Sequence, residues 1–397
     1  MSLLHTHIIP NSEVRDRLDR WDDAAREPAR SPSSWHLAAL WTAARSATVA
    51  ASTAIEGNPL TDAEVQEALG VGTVGSGGAP VREILNYNEA MNIAARAANR
   101  PGFEWSEDII QQINAAVTAG LDVDTHGAYR IEAVRAGIFQ GPHHLVVPEL
   151  MAQLVTWLRE DGSSSLIRSA LVHLNLIAIH PFADGNGRTA RILSSLELMR
   201  AGVHAPELIA IETYVRDHRG EYIAALRTTL GESYSPEEHS ATPWIDYYTR
   251  ISLERLEARN RLMEAMPNDI GVVALELEEA GENLAWTPIL LAARYAPIRT
   301  SAMARVFGIP AVTMRTQLAA MVAAGWLTAR GRTRSRRYEP SARLVQLPLR
   351  SPDLMGALRT GGQLGLWAAS PGAFADLAPD PQRPTGHSAS LATSRSL

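Results

Sequence analysis

Residues Leu166 to Ile179 read LIRSALVHLNLIAI, a helical run that is apolar around most of its circumference and free of proline and glycine. Such a helix is stable only when neighbours cover it on nearly every side, so the chain around it is expected to form a helical bundle. LVTWLREDG before it and RILSSLELMRAG after it keep the same spacing, as does most of the stretch from Val81 to about Arg255. With 397 residues, 46% of them apolar and 20% charged, the chain has material for that core and for two or three domains.

Other segments frame the bundle. Trp35 to Ile55 is Ala-rich and closed by Gly57, Asn58 and Pro59, a helix with its stop signals. Thr61 and Glu64 stand where a capping box would open the next helix. The stretch GVGTVGSGGAP has G-x-G-x-x-G spacing at Gly70, Gly72 and Gly75, but it follows a helical pattern and opens no βαβ unit, so it reads as a connector. YRIEAVRAGIFQGPHHLVVP breaks the helical period with shorter alternation, a Gly141-Pro142 break and a stop at Pro148, which predicts a small β-hairpin flap. Near the end, two short helices about Gly308 and two strands around a basic turn have the outline of a winged helix. The expected organisation is an all-α fold with one β-hairpin flap, followed by a winged-helix-like α+β domain. Its bounds are residues 1–110 for an N-terminal helical region, 111–260 for a catalytic core, 280–345 for the winged unit and 346–397 for a mostly disordered tail.

Composition removes whole classes of chemistry. There is no cysteine, which excludes disulfides, zinc knuckles, thiol catalysis and iron–sulfur clusters and fits a reducing cytoplasm. There is no lysine either, which excludes a P-loop, a pyridoxal phosphate Schiff base and the phosphate-holding lysine of a protein kinase. If phosphate is handled, arginine and backbone amides must do it. No basic and then apolar leader opens the sequence and no apolar run approaches a membrane span, so we expect a soluble cytoplasmic protein without a membrane partner.

The chemistry concentrates in HPFADGNGRTAR, His180 to Arg191, between the apolar helix and the next. A Gly-Asn-Gly turn feeding a helix N-terminus exposes backbone amides at the positive end of the macrodipole, a ready anion site. Gly185 and Gly187 allow close approach of a phosphate, and Arg188 and Arg191, three apart, reach the same side with fork-shaped donors. Asp184 would repel phosphates alone, so it is assigned to a hard cation such as Mg²⁺. His180, at the end of the preceding helix, is placed to act as a general base near neutral pH. A hydroxyl attacking phosphorus is the reaction that suits this set.

At these residues the chain resembles the Fic-domain family, whose signature H-P-F-x-[DE]-G-N-G-R-x-x-R is met at every fixed position, and the resemblance extends over most of Trp35 to Trp244. It implies a helical Fic bundle with a hairpin flap and transfer of AMP from ATP to a protein hydroxyl. Carried over, it makes His180 the base for a Ser, Thr or Tyr hydroxyl, on a target protein or on the chain itself, and Asp184 the Mg²⁺ ligand. Asn186 would touch the α-phosphate, Gly185, Gly187 and Arg188 would cradle the phosphates, and Arg191 would hold the γ-phosphate, with Phe182 packed under the loop. The flap from Gly137 to His144 would align a target peptide by strand addition. His143 and His144 lack further ligands for a metal.

Glu56 breaks a local rule, because a carboxylate in the last turn of a helix faces the negative end of the dipole. STAIEGN also resembles the inhibitory motif [ST]-x-x-x-E-[GN] of Fic proteins, with Ser52 and Glu56 in the matching places. That resemblance implies a glutamate paired with Arg191 that blocks seating of the γ-phosphate. Tyr222, in RGEYIAAL, matches one of the family's tyrosines near the adenine, although Ile223 stands where a second aromatic is common; a core role competes with it. The winged unit supports a second reading: a DNA-binding regulator, with Arg330, Arg332, Arg334, Arg336 and Arg337 on the wing and the Fic domain as a sensing or vestigial module. A homodimer is left open.

Overall fold

The computed structural model describes residues 4–9, 11–25, 34–71, 78–123, 125–203, 206–332 and 336–351. Helices α1 (Ser12–Ala25), α2 (Ser34–Ile55), α3 (Asp62–Val71), α4 (Gly78–Ala98) and α5 (Glu107–Thr118) lead into a hairpin of β1 (Arg135–Ala136) and β2 (Phe139–Gln140). The bundle continues with α6 (Val147–Glu160), α7 (Ser165–Ile179), α8 (Asn186–Arg200), the short α9 (Pro206–Ile209) and α10 (Glu212–Asp217), α11 (Arg219–Leu230) and α12 (Thr242–Glu279). A C-terminal unit holds α13 (Thr287–Tyr295), α14 (Thr300–Phe307), α15 (Ala311–Ala323), β3 (Leu327–Arg330), β4 (Arg337–Pro340) and α16 (Ala342–Val345).

The apolar helix is the centre of the bundle, as its composition demands. Twelve of the 15 residues of α7 are buried, against α6, α8 and α12, so it has almost no solvent face. Truncating a side chain there, such as Leu174→Ala, would cost about 2–5 kcal/mol. The polar residues it carries inward are satisfied: Ser169 Oγ donates to Ser194 O at 2.8 Å, and the Asn175 amide accepts from His5 N at 2.8 Å and donates to His5 O at 3.2 Å. That last pair ties the N-terminal segment down on α7.

Local signals hold where they are local. Thr61 N donates to Glu64 Oε2 at 2.8 Å while Glu64 N reaches Thr61 Oγ1 at 3.4 Å, the reciprocal capping box. The hairpin is antiparallel, pairing Arg135 with Gln140 and Ala136 with Phe139 around Gly137, whose φ of 61° the turn requires. In the C-terminal unit α14 and α15 meet at 114° about Gly308, within the range of helix-turn-helix pairs, and β3 and β4 follow as an antiparallel ladder. Among the described residues no single helix is long and apolar enough to cross a membrane.

Three tertiary features depart from the sequence expectation. Helix α12 runs unbroken through residue 260 to Glu279, with Pro267 inside it, so the bundle and the C-terminal unit share a helix and no linker separates them. Residues 346–351, expected to begin a disordered tail, are docked: Leu347 and Leu349 are buried, and the Arg350 and Ser351 amides donate to Asp269 at 3.0 and 2.7 Å. Helix α2 serves two cores, with Leu40, Ala43 and Ala44 packed among the C-terminal unit's apolar residues and Val49 and Ala50 among those of the bundle. Gly72 and Gly75 of the connector, Arg334 of the wing and residues 352–397 of the tail lie outside the described residues.

Candidate active site

The turn between α7 and α8 is built from two left-handed residues. His180 ends α7 with φ 50° and is the one non-glycine residue with positive φ among the described residues; Gly185 precedes α8 with φ 78°. A side chain on Gly185 would be strained by that φ and would meet Val117, Asn114 and Thr118 at 3.0–3.1 Å, so the glycine is required twice over. No side chain caps the start of α8, and its first amides therefore face the turn as donors. Asn186 closes the loop on itself, accepting from Phe182 N at 3.0 Å and donating to Phe182 O at 2.9 Å. The Phe182 ring is buried below and packs against Tyr129, 5.7 Å between centroids, as expected of it.

His180 is held from both sides. Its Nδ1 lies 3.3 Å from Ile177 O, which places the proton on Nδ1 and leaves the Nε2 lone pair to face outward. Burial holds its pKa below the ordinary value of 6.5, and the neighbouring Arg130 charge pushes the same way, against the pull of Ile177 O, Glu56 and Asp184. The imidazole is thus neutral at physiological pH, the form that accepts a proton. Arg130 also fixes the backbone here: its guanidinium donates to His180 O at 2.8 Å, Ile179 O at 3.4 Å, Pro142 O at 2.7 Å and Glu132 O at 2.5 Å. One buried cation therefore ties the C-terminus of α7, where the dipole favours positive charge, to both ends of the flap.

The two motif arginines have different neighbours. Arg188 is buried and gives one Nη2 hydrogen bond to Asp184 Oδ2 at 2.8 Å; its Nη1 lies 3.9 Å from Glu83 Oε1, and neither Nε nor Nη1 makes a hydrogen bond although no solvent reaches them. Buried guanidinium donors without acceptors are costly, and an anion at the N-terminus of α8 would supply the acceptors. Arg191 is held by α2 and the residue that follows it: Nε donates to Ser52 Oγ at 2.8 Å, and Nη2 donates to Ser52 O at 3.1 Å and to Glu56 Oε1 at 2.8 Å. A Cβ on Gly187 would overlap the Glu56 carboxylate, so Glu56 sits directly over the second glycine of the Gly-Asn-Gly turn. Burial disfavours charge on Arg191, and Glu56 restores and exceeds it, raising the pKa.

Ser52, Glu56, His180, Asp184, Gly185, Gly187, Arg188 and Arg191 are thus brought together, from α2, the turn and α8. Asn186 is at the turn, with its side chain spent on the loop rather than turned outward. Tyr222 requires correction, because it does not stand open to a nucleobase: it is 4% exposed, its hydroxyl lies 3.0 Å from His173 Nε2, and its ring packs on Trp244 and Tyr247. Burial raises its pKa to about 12, so it is a neutral wall behind Arg191. His143 and His144 stack at 4.3 Å, and no group of three metal-ligating side chains occurs among the described residues.

Sequence reasoning missed Arg130, Asn114 and the pair Tyr87–Glu212. Asn114, on α5, donates to Asp184 O at 2.9 Å and accepts from Gly127 N at 3.2 Å, holding the turn from outside. Tyr87 OH donates to Glu212 Oε1 at 3.0 Å behind Arg191, where burial raises the Glu212 pKa and Arg191 opposes that rise. Asn114, Tyr87 and Glu212 leave one signal in a sequence, a polar letter among apolar helical neighbours, and Arg130 is a single arginine in a loop; neither signal names a partner.

Residues 104–198 match the Fic/DOC family model. The protein adenylyltransferase fic-1 of Caenorhabditis briggsae is 34% identical over 190 residues, 45% of this chain and 36% of that protein. The protein adenylyltransferase Fic of Drosophila willistoni is 30% identical over 243 residues, 59% of this chain and 45% of that protein. The chain therefore spans between about a third and a half of the curated relatives it matches. Among solved structures, a Fic family protein from Desulfovibrio desulfuricans G20 superposes with a TM-score of 0.55 at 20% identity over 84% of this chain and 97% of that one. Fic-1 from Caenorhabditis elegans gives 0.51 at 24% identity over 65% and 74%. The likeness to these structures is one of fold.

Proposed function

We propose, starting from the Fic domain that residues 104–198 form, that the protein transfers AMP from ATP to a Ser, Thr or Tyr hydroxyl of a target protein or of itself, and that Glu56 restrains it. The observation that carries the reading is the meeting, at the start of α8, of the buried Arg188 Nε and Nη1 donors, which make no hydrogen bond, the uncapped amides and a neutral His180. His180 Nε2 accepts the proton of the attacking hydroxyl. The hydroxyl oxygen bonds to the α-phosphorus as the bond to the β-phosphate oxygen breaks, and pyrophosphate leaves. The amides of Gly187 and Arg188 and the Arg188 guanidinium hold the negative charge that accumulates on the phosphates. Asn186 keeps the turn in shape for the α-phosphate.

The residues present fit the cation that such chemistry uses, since Asp184 offers a half-exposed carboxylate beside the anion turn. Mg²⁺ held there would neutralise phosphate charge. Arg191 can take the γ-phosphate only when Glu56 lets it go, so the pair works as an off-state. A chain without cysteine suits a cytoplasmic location. Incubation with labelled ATP tests the assignment. Glu56→Gly should self-label strongly, the doubly substituted Glu56→Gly, His180→Ala should bind ATP without labelling, and equal labelling by both would remove His180 from the chemistry.

A second reading concerns the C-terminal unit. From Thr287 to Ser351 the chain has eleven arginines and one glutamate, in a protein whose net charge is −6. That balance, the 114° helix pair and the exposed Val312 on α15 fit a duplex DNA reader. The intact geometry around His180 and Arg191 counts against a vestigial Fic domain, so DNA binding stands beside catalysis rather than in its place. A mobility shift on duplex DNA whose affinity is insensitive to salt would dismiss it.

A further inference from the structure

Helix α2 carries Glu56 at one end, and about 15 residues earlier it borders a cavity of about 380 Å³ between α2, α3 and the C-terminal helices α13 and α14. None of the residues from His180 to Arg191 lines it, so it is separate from the active site. Its volume falls in the range of small-molecule sites, roughly 300–1,000 Å³. We propose that this cavity binds a small amphipathic anion, an aromatic or branched apolar body carrying one carboxylate, sulfonate or phosphate.

The lining assigns the two halves of that ligand. The apolar half is provided by Leu69, Ile298, Met303 and Val306, with Trp41, 40% exposed, adding an aromatic ring to the lining. The charged half follows from how the four ionic groups are used. Arg45 and Glu207 cancel: Arg45 Nη1 donates to Glu207 Oε1 at 3.0 Å, and its remaining donors go to Asn88 and Asn92. Arg299 faces Glu67 at 3.3 Å, a carboxylate 41% exposed and therefore screened. Arg305 donates to the Gly70 carbonyl at 3.3 Å and has no carboxylate partner among the described residues. One wall thus carries uncompensated positive charge, within a unit of eleven arginines and one glutamate. A neutral ligand would leave that potential unused, and a cation would be repelled by it.

The position of the cavity gives occupancy a consequence. Trp41, Ala43 and Ser46 line it, on the same helix that presents Ser52 and, just past its end, Glu56 to Arg191. A ligand wedged between α2 and α14 therefore bears on the helix that restrains the site. This consequence rests on the autoinhibition proposed above; the binding itself does not.

The test uses the full chain and two fluorescent probes, the anion 8-anilinonaphthalene-1-sulfonate and neutral N-phenyl-1-naphthylamine, with no activity readout. The anion should bind at one site per chain and at least about tenfold more tightly than the neutral probe. Ala302→Trp fills the cavity from α14 and Gln66→Trp from α3, so that one folded variant suffices, and either should abolish that site. Arg305→Ala, at an exposed side chain, should weaken the anion about fivefold or more and leave the neutral probe unchanged. Undiminished anion binding to a folded filled variant, or equal affinity for the two probes, would overturn the proposal. If binding holds, labelled-ATP incorporation with and without saturating anion then reports on the brake alone.

Discussion

Replacing Glu56 should move stability and nucleotide affinity in opposite directions. The Arg191–Glu56 pair is 2.8 Å long, and at an effective dielectric of about 20 its Coulomb attraction is about 6 kcal/mol. Most of that offsets the desolvation of Arg191, whose side chain is 1% exposed, and the screening of Glu56, which is 37% exposed. What remains is about 1–3 kcal/mol, the range of a charge-assisted hydrogen bond. A triphosphate has to displace that bond to reach Arg191, so Glu56→Gly should tighten ATP binding about 5- to 150-fold. Glu56→Gln, which keeps the shape and loses the charge, should give a smaller gain of the same sign. Without nucleotide Glu56→Gly should be less stable than the wild type by about 1–3 kcal/mol, because Arg191 stays buried without a carboxylate, and Glu56→Gln, whose amide oxygen can still accept from Arg191, should lose less. Titration calorimetry with ATP on His180→Ala backgrounds, which cannot turn over, measures the first quantity; chemical denaturation measures the second. A loss of stability with unchanged ATP affinity in both variants would show that the pair is structural and refute the brake.

Two further outcomes follow from buried groups. His5 and His173 are fully buried, and desolvation lowers their pKa values to about 4 and about 3, so between those values and 6.5 the unfolded chain binds protons that the folded chain does not. Stability present above pH 6.5 should then fall with falling pH by about 1.4 kcal/mol per unit for each histidine, and denaturant midpoints measured from pH 7.5 to 4.5 that stay flat would contradict this. Arg130→Met should leave ATP affinity near the wild-type value and cut turnover roughly 10- to 100-fold, since His180 and the flap lose their common anchor. Single-turnover labelling checks it, and a variant with normal turnover would show that the four carbonyls hold the flap and the histidine without Arg130.

How much of the site was legible depended on how local its physics is. The glycines, the arginines and His180 lie within twelve residues, and one helix-to-helix turn brings them together whatever the rest of the chain does. The capping box of Thr61 and Glu64 was legible for the same reason. Tyr222 misled because an aromatic near the substrate and an aromatic in the core carry the same letter; what distinguishes them is the company of His173, Trp244 and Tyr247, each far away in sequence. Arg130 was silent because its four acceptors are backbone carbonyls, which every residue has.

The sequence by itself determined that the chain is helical, that α7 must be central, and that a tight Gly-Asn-Gly turn headed by His180 follows it, because periodicity, glycine chemistry and helix ends act over a few residues. It determined too that lysine takes no part in any phosphate contact, there being none in the chain. The STAIEGN resemblance implied a pairing of Glu56 with Arg191, but only the tertiary structure supplied its geometry, with Ser52 and Glu56, 139 and 135 residues away, both bonded to the buried guanidinium while Arg188 Nε and Nη1 make no hydrogen bond. Only the tertiary structure, likewise, made α2 a member of two cores with a cavity at the seam. The reason is the same in each case: a buried charge takes its state from whichever groups exclude water around it, and those groups are chosen by packing across the whole chain.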